Sequence, residues 1–506
     1  MKIGIDLGSS STLAAFIGVE GDPILVPDAA DPRSQATPSR VLLHGDRALI
    51  GSFAEKLGHE NPGATLVSNF KRHFGTSHVL ARLGEEPLYS EMFAALLLKK
   101  VRGDVEIYTG QAVDSCVLTV PAHFTDQQRR ALLSAADIAG IEVIALLDEP
   151  IAAALQFTNR HVLNDEEIVV IYDIGGGTFD LSVLTCTGDQ VHILAKSGLT
   201  DLGGYDFDRI IEQRFRDDFR AAFSTAPKPG ALNDERIAAL AEATKIALGQ
   251  TGARWPANDT YVDGRFLRWT LDPADYDQRA ETLLKRSELV VQRTLRGLGL
   301  ELGDVQRFVL IGGACRSRQV RDFWRARLDP DRTSLAEDQP LASVAMGAAL
   351  YAHSFARGDG GGAQFVSNVR MSSVTGYNIG IQEEAGQAFE RVIDKNMALP
   401  ASGSALVRPA QGGAAGFAAR ICQYLDDPTL LDPVGRIAIQ PKHLVGRDMI
   451  EIVVRYNQDG TLGVKVVDAA SQAVVPFAFE DLTGGGRDLE RQRKALAGLR
   501  LNTMDV

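Results

Sequence analysis

The chain has 506 residues, more than a single hydrophobic core normally holds, so its length predicts two or three domains. A net charge of −12 argues against sequence-independent nucleic-acid binding, which depends on clustered lysine and arginine. No apolar run is long enough to cross a bilayer, and the N-terminus begins at once with a strand, without the apolar region of an export signal. We therefore expect a cytoplasmic protein with neither membrane nor nucleic-acid partners.

Up to about residue 355, strand-like segments alternate with helical ones, which predicts α/β architecture with buried parallel strands. The strand candidates are KIGIDL, SCVLTV, EVIAL, EIVVIYDI, LSVLTC and QRFVLIGG. The helix candidates are TDQQRRALLSAADIAG, EPIAAALQF, YDFDRIIEQRFRDDFRAAF, NDERIAALAEATKIALGQ and residues 275–298. Thr125 and Asn233 are predicted N-caps of the helices that follow them. Four cysteines without metal-binding or redox spacing are expected to be buried free thiols: Cys116, Cys186, Cys315 and Cys422.

The sequence changes character at ARGDGGGAQF, a glycine-rich segment that predicts a hinge. Beyond it, MIEIVVRY, NQDG and TLGVKVVD form a hairpin pattern with alternating faces. The predicted division is an α/β domain over residues 1–355, a hinge and linker over 356–373, an all-β domain over 374–480 and a tail over 481–506. The tail is expected to hold at most one short, charged helix.

Two segments of the first domain share one pattern, GIDLGSSST near the N-terminus and YDIGGGTFD from residue 172. Each runs from an apolar strand through an aspartate to a glycine-rich turn, then to serine or threonine and a returning strand. This repeat predicts two similar lobes that face each other across a cleft, with each turn pointing into it. Such turns expose backbone N–H groups in a concave anion site that suits phosphate.

The aspartates of these two segments, Asp6 and Asp173, would repel a phosphate unless a cation lies between them. A hydrated Mg²⁺ ion, which takes oxygen ligands and keeps several waters, would fit. One carboxylate could also orient or deprotonate an attacking water. A single turn of this kind is as often a tight β-turn capped by aspartate, but two turns with matching acids favour a phosphate and Mg²⁺ site.

Three further segments fit the same cleft, although each alone is typical of an ordinary turn or a solvated surface. LTDLGGYDFD places Gly203 and Gly204 before a helix, where a phosphate or sugar can bind. VLIGGACRS ends a buried strand at Gly312 and Gly313, where a flat base can lie against bare backbone. FKRHFG carries Lys71, a candidate point charge for a γ-phosphate.

In this order, the segments resemble the nucleotide-binding domain of the DnaK-type 70-kDa heat-shock chaperones over most of residues 1–353. The segments are IDLGSSST, NFKRHFG, VLTVPAHFTDQQRRAL, LLDEPIAAAL, YDIGGGTFDLSVL, LGGYDFD, EATKIAL, VLIGGACRS and VAMGAAL. After the hinge, SVTGYNIGIQ, AFERVIDKNMALP and IEIVVRYNQDGTLGVKVVD resemble that family's β-sandwich peptide-binding domain. The resemblance implies an α/β, actin/hexokinase-like, two-lobed ATPase domain followed by a small all-β sandwich. We expect no helical lid, because only about 25 residues follow Glu480.

The resemblance also implies ATP or ADP with Mg²⁺ as the cofactor, and a role for each matching residue. The phosphate loops would be Asp6, Gly8, Ser9 and Ser10, and Asp173, Gly175, Gly176, Gly177 and Thr178, with Mg²⁺ held through water by Asp6 and Asp173. The catalytic residues would be Lys71, Glu149, Asp173 and Thr178, with Asp180 in the same network. The ribose, adenosine and base would contact Gly203, Gly204, Glu242, Lys245, Gly312, Gly313 and Arg316, while Pro121 and Arg129 would relay to the linker.

Several positions depart from the family's pattern. Ile246 and Gly249 stand where a basic residue and a serine usually contact the base. His123 replaces a tyrosine, and it is either a surface or packing replacement or a titrating switch. Three positions that serve J-domain contact in the family are altered, which weakens the expectation of ordinary J-domain coupling; they are Ala145, Asp148 and Ile151. The linker NVRMSS offers only Val369 and Met371 as apolar anchors, which predicts weaker interdomain allostery.

The peptide site of the β-domain is less well marked. Ala385 and Ala419 fall where larger apolar residues usually arch over a peptide in the family. Four other apolar residues fit core packing as well as they fit peptide contact, namely Ile379, Ile381, Phe389 and Ile393.

Three functions follow from these features. The favoured one is an ATP-hydrolysing chaperone-like protein with slow turnover, in which the nucleotide gates a β-domain that binds unfolded or extended apolar peptide, with a possible nucleotide-exchange partner. Without a lid, peptide should exchange quickly. The alternative is a nucleotide-gated regulatory protein that serves one dedicated partner without general chaperone activity. A small-molecule kinase is disfavoured, because the β-domain would then have no role.

Overall fold

The structure is a computed structural model that describes residues 1–506 except 58–63, 162, 188–189, 252–253, 338, 356–369, 385–388, 410–415, 426, 458, 481–488 and 502–506. The strands and α-helices up to residue 160 are β1 (Lys2–Leu7), β2 (Ser11–Ile17), β3 (Pro23–Leu25), β4 (Thr37–Pro38), β5 (Val41–His44), β6 (Arg47–Ile50), α1 (Ser52–Leu57), β7 (Thr65–Val67), β8 (Ala81–Leu83), β9 (Glu86–Leu88), α2 (Ser90–Thr109), β10 (Ser115–Val120), α3 (Asp126–Ala139), β11 (Glu142–Asp148) and α4 (Glu149–Arg160). Those from residue 168 to 354 are β12 (Ile168–Ile174), β13 (Phe179–Thr187), β14 (Gln190–Leu199), α5 (Gly204–Phe223), α6 (Ala231–Thr251), β15 (Trp255–Val262), β16 (Arg265–Leu271), α7 (Pro273–Gly297), β17 (Arg307–Ile311), α8 (Arg318–Arg325), β18 (Ser334–Glu337) and α9 (Ser343–Ser354). The remainder are β19 (Arg370–Ser372), β20 (Asn378–Glu383), β21 (Phe389–Ile393), β22 (Ala401–Val407), β23 (Phe417–Tyr424), β24 (Asp432–Ile439), β25 (Ile450–Tyr456), β26 (Leu462–Asp468), β27 (Ala478–Glu480), α10 (Leu489–Ala497) and β28 (Arg500–Leu501).

Two six-stranded sheets form two lobes. Lobe I is built on the order β11-β10-β1-β2-β3, with β4 paired to β2, and lobe II on the order β18-β17-β12-β13-β14-β19. In each sheet the repeated sequence pattern forms an antiparallel hairpin beside a parallel neighbour, β1–β2 next to β10 and β12–β13 next to β17. The six strand candidates and the predicted α/β architecture are therefore confirmed.

The helix boundaries confirm one predicted cap and correct the other. The Thr125 side chain accepts a hydrogen bond from the backbone N–H of Gln128, and the Gln128 side chain closes a capping box at the start of α3. The prediction for Asn233 was wrong, because α6 begins at Ala231, two residues earlier. The polar residues in this segment indicated roughly where the helix starts, but they did not identify its first turn.

The two lobes are joined where α9 crosses α4 at a glycine. A Cβ atom on Gly347 would overlap the backbone carbonyl of Ala152, and neither helix backbone can yield. We expect Gly347→Ala to lower the free energy of unfolding by about 1–3 kcal/mol in urea denaturation. Gly103→Ala in α2 is the matched control, because its Cβ would meet no atom within 4 Å. Equal losses in the two variants would contradict the close-contact explanation.

The β-unit, residues 374–480, consists of two antiparallel sheets that share one apolar core. Their strand orders are β21-β20-β23-β24-β27 and β22-β25-β26. The core includes Ile379, Ile381, Ile393 and Ala419, all at most 2% exposed. These residues therefore pack inside the unit, while Phe389 is half-buried against the ring of Tyr424.

The linker and tail bring both ends of the β-unit back to the lobes. Strand β19 pairs in parallel with β14 of lobe II, and β28 pairs in parallel with β6 beside lobe I. The tail contains one short, charged helix, α10, as predicted, whereas its strand was not predicted. The predicted hinge at 356–365, together with Val369 and Ala385, lies outside the described residues.

Two further expectations concern membranes and thiols. Across the described helices, none combines the length and apolar character that a bilayer crossing requires. Cys116, Cys315 and Cys422 are buried free thiols as predicted, and the side chain of Cys186 lies outside the described residues.

Candidate functional site

The cleft between the lobes holds most of the predicted site residues. It has a volume of about 390 Å³. The predicted residues that line it are Asp6, Gly8, Ser9, Ser10, Lys71, Glu149, Asp173, Gly175, Gly176, Thr178, Gly204, Glu242, Lys245, Gly312, Gly313 and Arg316. Gly177 and Gly203 lie against each other behind the lining, where a Cβ on Gly203 would fall 2.6 Å from the backbone nitrogen of Gly177.

The two glycine-rich turns meet across this cleft. A Cβ on Gly176 would overlap the Ser10 hydroxyl, and one on Gly177 would fall 2.9 Å from the Ser9 hydroxyl. Tyr205, at the start of α5, donates from its hydroxyl to the carbonyl of Ser9 at 2.9 Å and so ties the second lobe to the first turn. The lack of side chains at these glycines lets the two backbones approach closely enough to enclose one small anion between them.

Four carboxylates surround one buried lysine at the bottom of the cleft, and we call them the acid cluster: Asp6, Glu149, Asp173 and Asp180. The Lys71 Nζ atom donates to Glu149 Oε1 at 2.6 Å, and Thr119 donates to Asp6 Oδ1 at 2.9 Å. Burial raises the pKa of Glu149 to about 7, although the charge of Lys71 partly offsets it. Burial and the neighbouring acids also raise the pKa of Asp173 well above its ordinary value.

The acid cluster would carry more negative charge than Lys71 neutralises if all four acids were ionised, and the raised pKa values of Glu149 and Asp173 reflect burial together with this excess. Among the described residues, no three histidine, cysteine or acidic side chains come close enough to hold a metal ion directly. Two carboxylates beside backbone N–H groups that suit phosphate fit a Mg²⁺ ion that keeps its waters. Asp6 and Asp173 are the residues that would hold it through water.

His123 lies on the side of the cluster that faces the β-unit. It is 5% exposed, its Nδ1 lies 3.1 Å from Asp180 Oδ1, and the same oxygen accepts the backbone N–H of Ala122 at 2.7 Å. The Tyr377 hydroxyl of the β-unit donates to the His123 carbonyl. His123 is therefore a buried residue that helps to position Asp180. The prediction that it could be a surface replacement was wrong.

The side of the cleft predicted to hold the base contains two ion pairs, one of which crosses from lobe I to lobe II. Glu242 Oε2 on α6 lies 2.8 Å from Arg40 of lobe I, and Lys245 lies 2.8 Å from Asp208. Gly312 has φ of 83°, and a Cβ there would overlap the carboxylate of Asp173. Ile246 lines the cavity and is 49% exposed, so an apolar side chain faces the cleft on this side.

Sequence reasoning missed four residues that organise the site. Thr119 and Tyr205 lie inside segments that were recognised, and Arg72 directly follows Lys71. Arg72 donates to the carbonyl of Gly177 at 2.8 Å and to Asp206 at 3.0 Å, which holds the second glycine turn. Arg40 carried no sequence signal, because its partner Glu242 is 202 residues away.

A second buried network connects the site to the β-unit. Asp148, which directly precedes Glu149, accepts hydrogen bonds from Arg129 at 2.6 Å and from Lys196 at 2.5 Å. Arg129 also donates to the carbonyl of Asp459 at 3.0 Å, and Lys196 donates to the Ser373 hydroxyl at 3.0 Å. One carboxylate therefore binds side chains from both lobes, and these side chains in turn bind the β-unit and the linker.

Comparison with known proteins agrees with this arrangement. The sequence matches the family described as Hsp70 protein over residues 76–481. The chain belongs to the Hsp70 family. Two relatives named Chaperone protein DnaK, from Halobacterium salinarum strains R1 and NRC-1, are 30% identical to it over 493 residues. The aligned region covers 95% of this chain and 75% of each relative.

The resemblance inferred from the motifs is thus confirmed at the level of the family. Hsp70 proteins share a two-lobed, actin-like ATPase fold, and the mixed α/β architecture of the lobes agrees with it. Hsp70 proteins bind ATP or ADP with Mg²⁺, hydrolyse ATP and act as chaperones in protein folding. The chain has an ATP-dependent, chaperone-type role at that level.

Proposed function

We propose that the protein hydrolyses Mg·ATP in the cleft to control how the β-unit binds extended apolar peptide. The supporting observation is the Asp148 network, which starts one residue from Glu149 and ends on the β-unit and the linker. A change at the γ-phosphate that moves Glu149 would also move Asp148 and its two cations. The proposed domain division is 1–355 for the ATPase, 356–373 for the hinge and linker, 374–480 for peptide binding and 481–506 for the tail.

In this proposal each cleft residue has a defined task. The turns at Gly8–Ser10 and Gly175–Thr178 bind phosphate through backbone N–H and hydroxyl groups. Lys71 neutralises charge that develops on the γ-phosphate, and Glu149 or Asp173 orients the attacking water. Asp6 and Asp173 would hold Mg²⁺ through water, and the bound ion would supply positive charge for the phosphates. The base would lie against Gly312 and Gly313, with its remaining contacts from Glu242, Lys245 and Arg316.

The alternative is a nucleotide-gated protein with one dedicated partner. It is supported by two of the positions that serve J-domain contact in the family. Asp148 and Ile151 are both buried here, and Asp148 is hydrogen-bonded to Arg129 and Lys196, so neither is exposed to a J-domain. It is also supported by the apolar residues Ile379, Ile381 and Ile393, which are used in the core and so are not available to a peptide.

A hydrolysis experiment separates these two functions. Single-turnover ATP hydrolysis by the full chain would be measured with and without a panel of extended apolar peptides, and peptide binding would be followed by fluorescence anisotropy. Stimulated hydrolysis with rapidly exchanging peptide is the expected result. Hydrolysis that ignores every peptide, with no anisotropy change, would favour the dedicated partner. Absence of any Mg·ATP binding heat in calorimetry would refute both.

The Arg40–Glu242 pair crosses the cleft from one lobe to the other, and the pair must open before a nucleotide can leave. Both side chains are partly exposed, at 21% and 34%, so the pair is expected to contribute about 1 kcal/mol. We expect Arg40→Ala to accelerate dissociation of a fluorescent ADP about fivefold in stopped-flow measurements. Arg254→Ala is the control, because its partner Asp272 lies on the same lobe in an exposed pair. An unchanged rate in Arg40→Ala would show that the pair does not limit release.

A further inference from the structure

The C-terminal segment, residues 489–501, packs on lobe I as part of its structure. Helix α10 lies against α3, and Leu496 and Leu499 are 3% and 7% exposed within the apolar core of lobe I. Ala495 and Leu501 pack at the edge of the same core. The segment therefore inserts its apolar side chains into a core that is otherwise formed by residues 1–146.

Strand β28 adds a backbone connection to these apolar contacts. It extends the sheet β6-β5-β7 as a parallel edge strand, with Arg500 opposite Arg47 and Leu501 opposite Ala48. The backbone N–H of Arg500 donates to the carbonyl of Asp46 at 2.8 Å. Two ion pairs fix the direction of the segment, Arg493 with Asp137 at 2.5 Å and Arg500 with Asp46 at 3.2 Å. Strand addition of this kind binds an extended segment through its main chain and selects it through alternate side chains.

Helix α3 connects this segment to the β-unit, because opposite ends of the helix hold the two. At its N-terminal end, Asp126 accepts the backbone N–H of Leu462 at 2.9 Å, and Arg130 donates to the Leu462 carbonyl at 2.9 Å. In its last turn, Asp137 pairs with Arg493 of α10. A rigid helix of 14 residues thus binds the β-unit at one end and the segment that follows the β-unit at the other.

We propose that residues 489–501 form a detachable intramolecular clasp that holds the β-unit against α3. The chain enters the β-unit after β19 on lobe II and leaves it towards lobe I, so an attached clasp restrains the β-unit from both ends. Attachment tethers the β-unit at a second point and so raises its effective concentration at α3, and detachment removes one of the two restraints. The clasp is small, with two buried leucines and a two-residue strand, and this makes detachment without unfolding of lobe I feasible. The proposal depends on the docked arrangement and not on peptide binding or hydrolysis.

Hydrogen exchange tests the proposal in the full chain. The Leu462 amide reports docking directly, because its partner is Asp126 of lobe I. Leu499→Asp places a carboxylate at a buried position of the clasp, and we expect it to raise exchange about tenfold both at the Arg500 amide and at the Leu462 amide. Ala497→Asp is the control, since it introduces the same carboxylate at an exposed position of the same segment. Loss of protection at Arg500 with full protection at Leu462 would overturn the clasp, because the segment would then have detached without releasing the β-unit.

A peptide experiment tests whether the clasp detaches. A labelled peptide of residues 481–506 is expected to bind a chain that ends at Glu480 and to restore protection at Leu462, but to bind the full chain much more weakly, because the site is occupied there. The same peptide with Leu499→Asp should bind neither. If the truncated chain does not fold, an exchange of charges in the full chain replaces it: Arg493→Asp should raise Leu462 exchange, and adding Asp137→Arg should lower it again. Failure of the charge exchange to restore protection, or a dimer held together by exchanged tails, would overturn the intramolecular clasp.

Discussion

Replacing Lys71 with methionine is expected to reduce single-turnover ATP hydrolysis by about 10²–10³-fold while nucleotide binding remains measurable. Lys71 is 4% exposed, and it is the cation that the acid cluster surrounds. Burial disfavours its charge, but Glu149 and Asp6 raise its pKa above the ordinary value, so the ammonium stays protonated at neutral pH. A fixed positive charge in a cleft that excludes water stabilises charge as it develops on a transferring phosphoryl group. Methionine keeps the length of the side chain and removes that charge.

Lys100→Met is the matched control for this experiment. Lys100 is also a buried lysine of lobe I, and it lies between Asp28 and Asp104 outside the cleft lining. The two variants should lose comparable stability in urea denaturation, but only Lys71→Met should lose hydrolysis. Binding of Mg·ATP would be followed by calorimetry in both. If Lys71→Met hydrolysed saturating ATP at the wild-type rate, the proposed role of Lys71 would be contradicted. If both variants lost hydrolysis equally, the loss would be attributed to reduced stability.

The parts of the fold that were predicted from the sequence are those that local chemistry determines. The hairpin turn after β12 and the turn after β17 were predicted because glycine is required where Gly176 meets Ser10 and where Gly312 meets Asp173, so the requirement is visible in the sequence. The cap at Thr125 was predicted because its partner Gln128 lies three residues away. Most residues of the cleft came together as expected because they follow a strand or begin a helix that the pattern had marked, whereas Glu242 and Lys245 lie within α6.

The parts that were not predicted depend on contacts between distant residues. Arg40 and Glu242 meet only because the two lobes fold towards each other. The strand at Arg500 has two residues and exists only where the edge of β6 accepts it, so no periodicity could indicate it. Asp148 was recognised as a departure from the family, but its meaning was not, because Lys196 lies 48 residues further along the chain. Sequence patterns identify elements, whereas these pairings follow from tertiary structure.

Asp148→Asn is expected to lower the free energy of unfolding by about 3–5 kcal/mol, since it leaves two buried cations without their anion. Arg129 and Lys196 are 3% and 4% exposed, so water cannot replace the lost carboxylate. Burial opposes the charge of Asp148, but the charges of Lys196 and Arg129 outweigh it and lower the pKa of the carboxyl below its ordinary value of 3.8. A lowered pKa stabilises the folded state above that ordinary value, and the contribution is lost as the pH falls towards the folded pKa. The difference in the free energy of unfolding between wild type and variant, measured by urea denaturation, should therefore be largest at pH 7. It should shrink below a pH of about 4.

A second substitution determines whether the loss comes from unpaired charge. Burial lowers the pKa of Lys196 more than Asp148 raises it, so the ammonium is only partly compensated even in the wild-type protein. The double variant Asp148→Asn and Lys196→Met leaves only Arg129 without its anion, so it should recover the part of the lost stability that comes from the unpaired charge of Lys196. Losses that simply add in the double variant would show that Asp148 and Lys196 act independently. Recovery of stability without recovery of protection at the Leu462 amide would show that the network positions the β-unit in addition to stabilising the lobes, because Lys196 also binds the linker at Ser373.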